Sequence, residues 1–103
     1  MMTRLVKLTL KPEHLNDFIA HFDTVKEKIN AFPGCKGMRL IQDKNNIGVI
    51  FTYSEWETDD DLENYRKSEL FASIWPTVKS WFDKKAEAWS TETYFDGFSL
   101  KND

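Results

Sequence analysis

The sequence predicts an α+β domain of ferredoxin-like type: one antiparallel sheet with its helices on a single face. Two observations lead there. Strand-like stretches and capped stretches of helical spacing follow one another in the order β-α-β-β-α-α-β. The third of the strands is apolar on both sides, with Ile47, Val49, Phe51 and Tyr53 facing one way and Ile50 the other. Helices on one face cannot cover both sides, so a second cover is required. A homodimer that sets sheet against sheet supplies it.

Taken in order, residues 3–10 alternate as a strand, with Val6, Leu8 and Leu10 on one face and Leu5 beside Lys7 and Thr9 on the other. Pro12 then stands at a favoured first helical position. Leu15, Phe18, Ile19, Phe22, Val25 and Ile29 recur at helical spacing and make an amphipathic helix, which Pro33-Gly34 should stop near Phe32. Residues 38–43 read as the second strand, Lys44-Asn45-Asn46 as a hairpin turn, and Ile47 to Tyr53 as the most hydrophobic, central strand. Thr58 caps a short helix whose first turn, Asp59-Asp60-Asp61, suits the positive end of the helix dipole. Ser68 with Glu69 opens a second short helix. Pro76 disfavours helix at Trp75, so a break is expected there. If the helical phase persists, Phe71, Ile74, Trp75, Val78 and Phe82 share one face, with Trp81 at its margin. Ala88 to Phe95 reads as the last strand. The expected domain is therefore 1–95, with 96–103 as a tail.

Composition excludes several classes of function. With 103 residues there is room for one core. A net charge of −3, without any Lys/Arg run, argues against nucleic acid as a partner. No apolar run approaches the ~18 residues of a membrane span. Met1-Met2-Thr3-Arg4 leads straight into a strand, so no signal peptide is expected. The lone cysteine, Cys35, allows no intrachain disulfide or cysteine-based zinc site and fits a reducing cytoplasm. Aromatic residues reach 15%, with four Trp and eight Phe, generous enough to furnish a pocket wall as well as a core.

The spacing Trp56-x5-Leu62-x2-Tyr65-x2-Ser68-x2-Phe71 resembles the signature of the antibiotic-biosynthesis monooxygenase family of small dimeric α/β barrels. The turn Pro33-Gly34-Cys35-Lys36-Gly37 is similar to that family's Pro-Gly-x-x-Gly entry into the second strand. The resemblance runs from the first strand through the last. It implies a homodimer and, in each protomer, a pocket between the helices and the sheet. Relatives include oxygenases that use neither metal nor flavin, haem-degrading enzymes and proteins acting on small signalling molecules. The haem-degrading branch carries an asparagine, a tryptophan and a histidine ligand where this chain has Val6, Tyr65 and Trp75. Valine cannot hydrogen-bond, and neither Tyr nor Trp replaces an imidazole on iron, so haem degradation is not expected.

What the resemblance implies instead is a cofactor-independent monooxygenase acting on a small quinol-like aromatic. Such a reaction needs an apolar pocket, a base or water relay, and donors for a developing oxyanion. Trp56, Phe71, Trp75 and Trp81 are the expected aromatic walls, with Phe22 beside them. Tyr65 stands where relatives often carry histidine. It can donate a hydrogen bond, but an ordinary phenol pKa of about 10 makes it a poor base at neutral pH. The plain alternative is a core-edge tyrosine. His21 is the other candidate base, reaching the pocket rim. His14 and His21 lie seven apart on the first helix with Asp17 on the same flank. A metal site needs a third ligand converging on them, and an ordinary polar boundary explains them more simply; no metal or other cofactor is expected. Arg39 is the candidate anchor for an acidic or phenolic substrate, with a surface ion pair as its alternative reading. Ser68 is a cap, since no Gly-x-Ser-x-Gly turn occurs. The rival to an enzyme is a non-catalytic binding or stress-related module whose cavity holds a ligand without a base.

Overall fold

The structure, a computed structural model, describes residues 1–100. Its elements are β1 (Met2–Leu10), a single 3-10 turn at Pro12–His14, α1 (Leu15–Asn30), β2 (Cys35–Gln42), β3 (Val49–Trp56), α2 (Asp59–Arg66), α3 (Glu69–Lys79) and β4 (Phe82–Thr91). The strands form one antiparallel sheet in the order β2-β3-β1-β4. The third strand is central, as its hydrophobicity predicts, and β1 is the other central strand.

Period-two alternation decides what each face carries. Leu8 stands opposite Ile50, Val6 opposite Thr52 and Arg4 opposite Ser54, so all of these point to the helical side. There Leu8, Leu10 and Ile50 form a core with Phe18, Val25 and Ile29 of α1 and Ile74 and Val78 of α3. Ile19, expected on the apolar side of α1, is instead exposed at the edge of that helix.

A second cluster, Met2, Trp56 and Leu62, with Phe32, Cys35 and Tyr65 against it, closes the end of the sheet near α2. Thr58 and Ser68 cap their helices as expected: Thr58 Oγ1 accepts from the Asp61 amide at 3.1 Å and Ser68 Oγ from that of Phe71 at 3.1 Å. The Asp61 carboxylate answers the first cap by accepting from the Thr58 hydroxyl at 3.0 Å. Gly34, at φ 86°, lies against that same carboxylate; a Cβ there would run into Asp61, so both space and backbone demand glycine.

Several boundaries differ from expectation. β2 begins at Cys35, not residue 38, because Gly37, at φ 146°, admits an irregularity between Cys35 and Gly37 that keeps the earlier residues paired with β3. The connection to β3 is longer than a tight hairpin turn: the Asp43 side chain accepts from the amides of Asn45 at 2.7 Å and Asn46 at 3.3 Å. Strand pairing resumes only at Val49, leaving Ile47 outside the sheet and 55% exposed, and β3 runs on through Trp56. α3 continues through Pro76 without the expected break. Proline removes one donor there, and the last turn closes through the Ser80 amide onto the Pro76 and Thr77 carbonyls, both at 3.2 Å. Ile74 and Val78 therefore keep the helical phase and stay buried.

The last strand is β4, Phe82–Thr91, rather than Ala88–Phe95. Phe82 opens it instead of ending the face of α3. Register irregularities opposite Lys7, Thr9 and Leu10 break the alternation that would have marked its first half. Tyr94 and Phe95 lie outside it and are exposed.

Candidate functional site

Between the helical face of the sheet and the three helices lies a cavity of about 250 Å³. Its floor comes from β-strand positions of even number: Arg4, Val6 and Leu8 on β1, Met38 on β2, Thr52 and Ser54 on β3, Ala86 and Ala88 on β4. The two alanines matter because side chains that stop at Cβ leave space that leucines would fill. The roof is Phe18, His21, Phe22, Val25 and Ile29 of α1, Leu62, Tyr65 and Arg66 of α2, and Phe71, Ile74, Trp75 and Val78 of α3.

An aromatic ladder runs along one wall. Trp56 stacks behind Tyr65 with centroids 5.3 Å apart, and Tyr65 meets the edge of Phe71 at 5.2 Å. Phe71 stacks on Trp75 at 5.5 Å, and Trp75 meets Phe82 edge-on at 5.5 Å. Contacts of this kind hold each ring in one orientation.

Of the expected site residues, Tyr65, His21, Phe22, Phe71 and Trp75 come together on the cavity wall. Three do not. Trp56 is 1% exposed and sits behind the wall, its Nε1 donating to Ser54 Oγ at 2.9 Å and its ring meeting the edge of Phe32. It buttresses Tyr65 and touches no open space. Trp81 lies beyond the end of α3, edge-on to the His21 ring at 5.9 Å and stacked on His14 at 6.3 Å. Arg39 is on the opposite face of the sheet, its guanidinium 5.4 Å from the centre of the Tyr53 ring directly across the strand pair.

His21 has an unusual setting. Its Nε2 is buried and has no hydrogen-bond partner. Trp81 holds one side of the ring while the cavity lies at another. His14 points elsewhere, its Nδ1 3.0 Å from the Asp17 carboxylate at the surface. The two histidines therefore do not converge. Among the described residues no three His, Cys, Asp or Glu side chains gather as metal ligands would. Val6, Tyr65 and Trp75, the positions compared with the haem-degrading branch, all line the cavity.

Two arginines on the wall, Arg4 and Arg66, escape the reading of the sequence. Arg4 Nη1 donates to Ser90 Oγ at 2.9 Å, and Arg66 lies 3.5 Å from Glu63. Burial, and after it the Arg66 charge, hold the Arg4 guanidinium below its ordinary pKa, while Glu63 pulls the other way. The available signal was the parity of the strand: Arg4 shares its face with Val6, Leu8 and Leu10, an odd place for a cation.

The sequence profile of the antibiotic biosynthesis monooxygenase family matches residues 1–76. The chain belongs to that family. A conserved protein from Methanosarcina mazei superposes with a TM-score of 0.83 at 24% identity, covering 89% of this chain and 92% of the other. An antibiotic biosynthesis monooxygenase of solved structure reaches 0.85 at 18% identity, with coverage of 90% and 98%. A protein from Mycobacterium tuberculosis reaches 0.83 at 12% identity, with coverage of 93% and 97%. At such identities these likenesses establish a shared fold. No curated protein matches the sequence. No helix among the described residues is long and apolar enough to cross a membrane.

In this monooxygenase-family chain, Tyr65 is poorly suited to be a base. Burial pushes its phenol up to about 12, with charge on Cys35 adding a smaller push in the same direction. The neutral form is the one the fold favours. The unfolded chain loses this proton near pH 10, before the folded one, so the stability tied to a neutral Tyr65 is intact below about pH 10 and lost as pH rises toward about 12. Comparing unfolding free energies of wild type and Tyr65→Phe between pH 9 and 11.5 should show the wild type losing up to about 2 kcal/mol more. Parallel pH curves would show that the phenol is not desolvated.

Proposed function

We propose that this protein is a cofactor-independent monooxygenase acting on a small, electron-rich, quinol-like aromatic held in the cavity, with His21 as its base. The observation that carries this reading is the unpartnered, buried Nε2 of His21 on the wall of a largely apolar cavity that also carries Phe18, Phe22, Tyr65, Phe71 and Trp75. A buried ring nitrogen without a partner is costly to keep, and in the tautomer that leaves Nε2 bare a substrate hydroxyl would satisfy it. The phenol gives its proton to Nε2 as general base. The resulting phenolate passes an electron to dioxygen, and the aryloxyl radical and superoxide join in a C–O bond at a ring carbon. The peroxide takes back the proton, and loss of water from a carbon that bore hydrogen leaves a quinone. One substrate and one O₂ thus yield one quinone and one H₂O. Phe22, Phe71 and Trp75 hold the ring, and Tyr65, kept neutral, is a hydrogen-bond donor. Trp81 positions the base by fixing its ring, and Trp56 does the same for Tyr65.

The test is oxygen uptake by the pure protein with a panel of hydroquinones and naphthols. Uptake above the buffer rate is expected for at least one, with quinone as product. No uptake across the panel, from protein that binds these compounds, would leave a binding module in place of an enzyme.

The same reading includes a homodimer that pairs sheet against sheet. Leu5, Phe51 and Tyr53 share the face away from the helices with Ile41, 46% exposed, and Trp89, 44% exposed. Contiguous apolar surface of this kind is what an interface buries. Trp89→Glu should weaken the dimer by about 2 kcal/mol or more, some 30-fold in dissociation constant, read by sedimentation velocity over a dilution series. A wild-type protomer that sediments alone at micromolar concentration removes the dimer.

A further inference from the structure

We infer that the cavity selects aromatic ligands bearing one carboxylate, which Arg4 binds at the arginine-lined part of the wall. The inference deepens the proposed function and rests on it only in taking the cavity for a ligand site.

The charge on this part of the wall is unbalanced. Arg4 sits on the apolar face of a central strand, and both Arg4 and Arg66 border the cavity. Glu63 lies 3.5 Å from Arg66 and offsets that charge. Among the described residues Arg4 has no carboxylate within ion-pair distance; its recorded partner is the neutral Ser90 hydroxyl, at 2.9 Å. A guanidinium offers five donors in a planar fork, and one neutral hydroxyl leaves most of them unused. Drawing even part of such a group out of water, beside a second cation, is unfavourable, and an arriving anion relieves it. Near it, Ser54 stands directly across the strand pair, its oxygen already accepting from Trp56 Nε1 and its own proton left to donate. One cation without a carboxylate in contact, with a hydroxyl donor beside it, matches a planar monoanion better than a dianion. The rest of the wall supplies aliphatic and aromatic surface for the body of the ligand. Arg39, across the sheet, has no part in this.

The experiment is calorimetric titration of the full chain with 6-hydroxy-2-naphthoate, with 2-naphthol, which lacks only the carboxylate, and with 2-naphthyl phosphate. The acid should bind about tenfold or more tightly than 2-naphthol. That advantage should shrink as salt is raised, while 2-naphthol is unaffected. Arg4→Gln should abolish the advantage and leave the affinity for 2-naphthol in place, which also reports that the variant is folded; Arg4→Lys should keep part of it. Should Arg4→Gln fail to fold, Arg66→Gln, at a half-exposed helix end, and the wild-type salt series decide the matter instead. Equal affinity for acid and naphthol, or an advantage untouched by salt and by these substitutions, overturns the assignment. Tightest binding of the phosphate overturns the single-carboxylate part. If neither naphthol nor acid binds, the ligand-site reading itself falls, whereas binding of naphthol without preference for the acid removes the anion assignment alone.

Discussion

His21→Gln should lower the catalysed oxygen uptake by about 10²- to 10⁴-fold, the usual worth of a positioned general base. Glutamine keeps a polar group of similar reach but cannot carry the proton away. Affinity for the same aromatic should change little, because the aromatic wall that holds it is untouched. The loss therefore belongs in kcat rather than KM, and full progress curves with the best substrate of the panel separate the two. Trp81→Leu is the companion variant. It leaves the imidazole in place and removes the ring that meets it edge-on at 5.9 Å, so a smaller fall in kcat is expected from loosened positioning. Undiminished turnover in His21→Gln sinks the assignment of the base, and attention passes to a water relay.

The largest loss of stability is expected at Trp56. Trp56→Ala should cost about 3–5 kcal/mol, the range for deleting a large buried aromatic. The residue is 1% exposed and ties together three parts of the chain: β3, on which it stands, Phe32 beyond α1, and Tyr65 of α2. Its loss also strips Ser54 of the buried Nε1–H donor, leaving a hydroxyl oxygen unpaired. Trp56→Phe keeps one ring in the stack but loses the donor and part of the buried ring volume, so a smaller cost of about 1–3 kcal/mol is expected. Urea unfolding at fixed pH measures both. A Trp56→Ala cost under about 1 kcal/mol would falsify the buttress role, because a ring in open space, not a packed one, behaves that way.

These two residues show how unevenly the site was legible. His21 and Phe22 follow from the phase of an amphipathic helix, since residues bordering its apolar arc must face whatever lies between helix and sheet. Tyr65, Phe71 and Trp75 follow from capped short helices whose starts are written in Thr58 and Ser68. Trp56 was readable as an aromatic of the right stretch, but periodicity does not say whether such a ring faces a void or another ring. That depended on Phe32 arriving from a distant turn. Arg4 and Arg39 are the sharper contrast. Both are strand arginines, and in the sequence they are interchangeable as anchors. Pairing of β1 with β3 turns Arg4 toward the helices and pairing of β2 with β3 turns Arg39 away, and a one-residue slip in either ladder would exchange those fates.

The sequence alone determined the order of elements, the two helix caps, the glycine-bearing turn at Gly34, the two-faced apolarity of β3 and membership of the family. All of these are carried by neighbours in the chain, where spacing and local hydrogen bonding suffice. Tertiary structure alone decided where β4 begins, that α3 outlasts Pro76, which aromatic rings open onto space, and which arginine meets the cavity. Those outcomes depend on register and on contacts between residues far apart in the chain, and no local pattern encodes a partner's position.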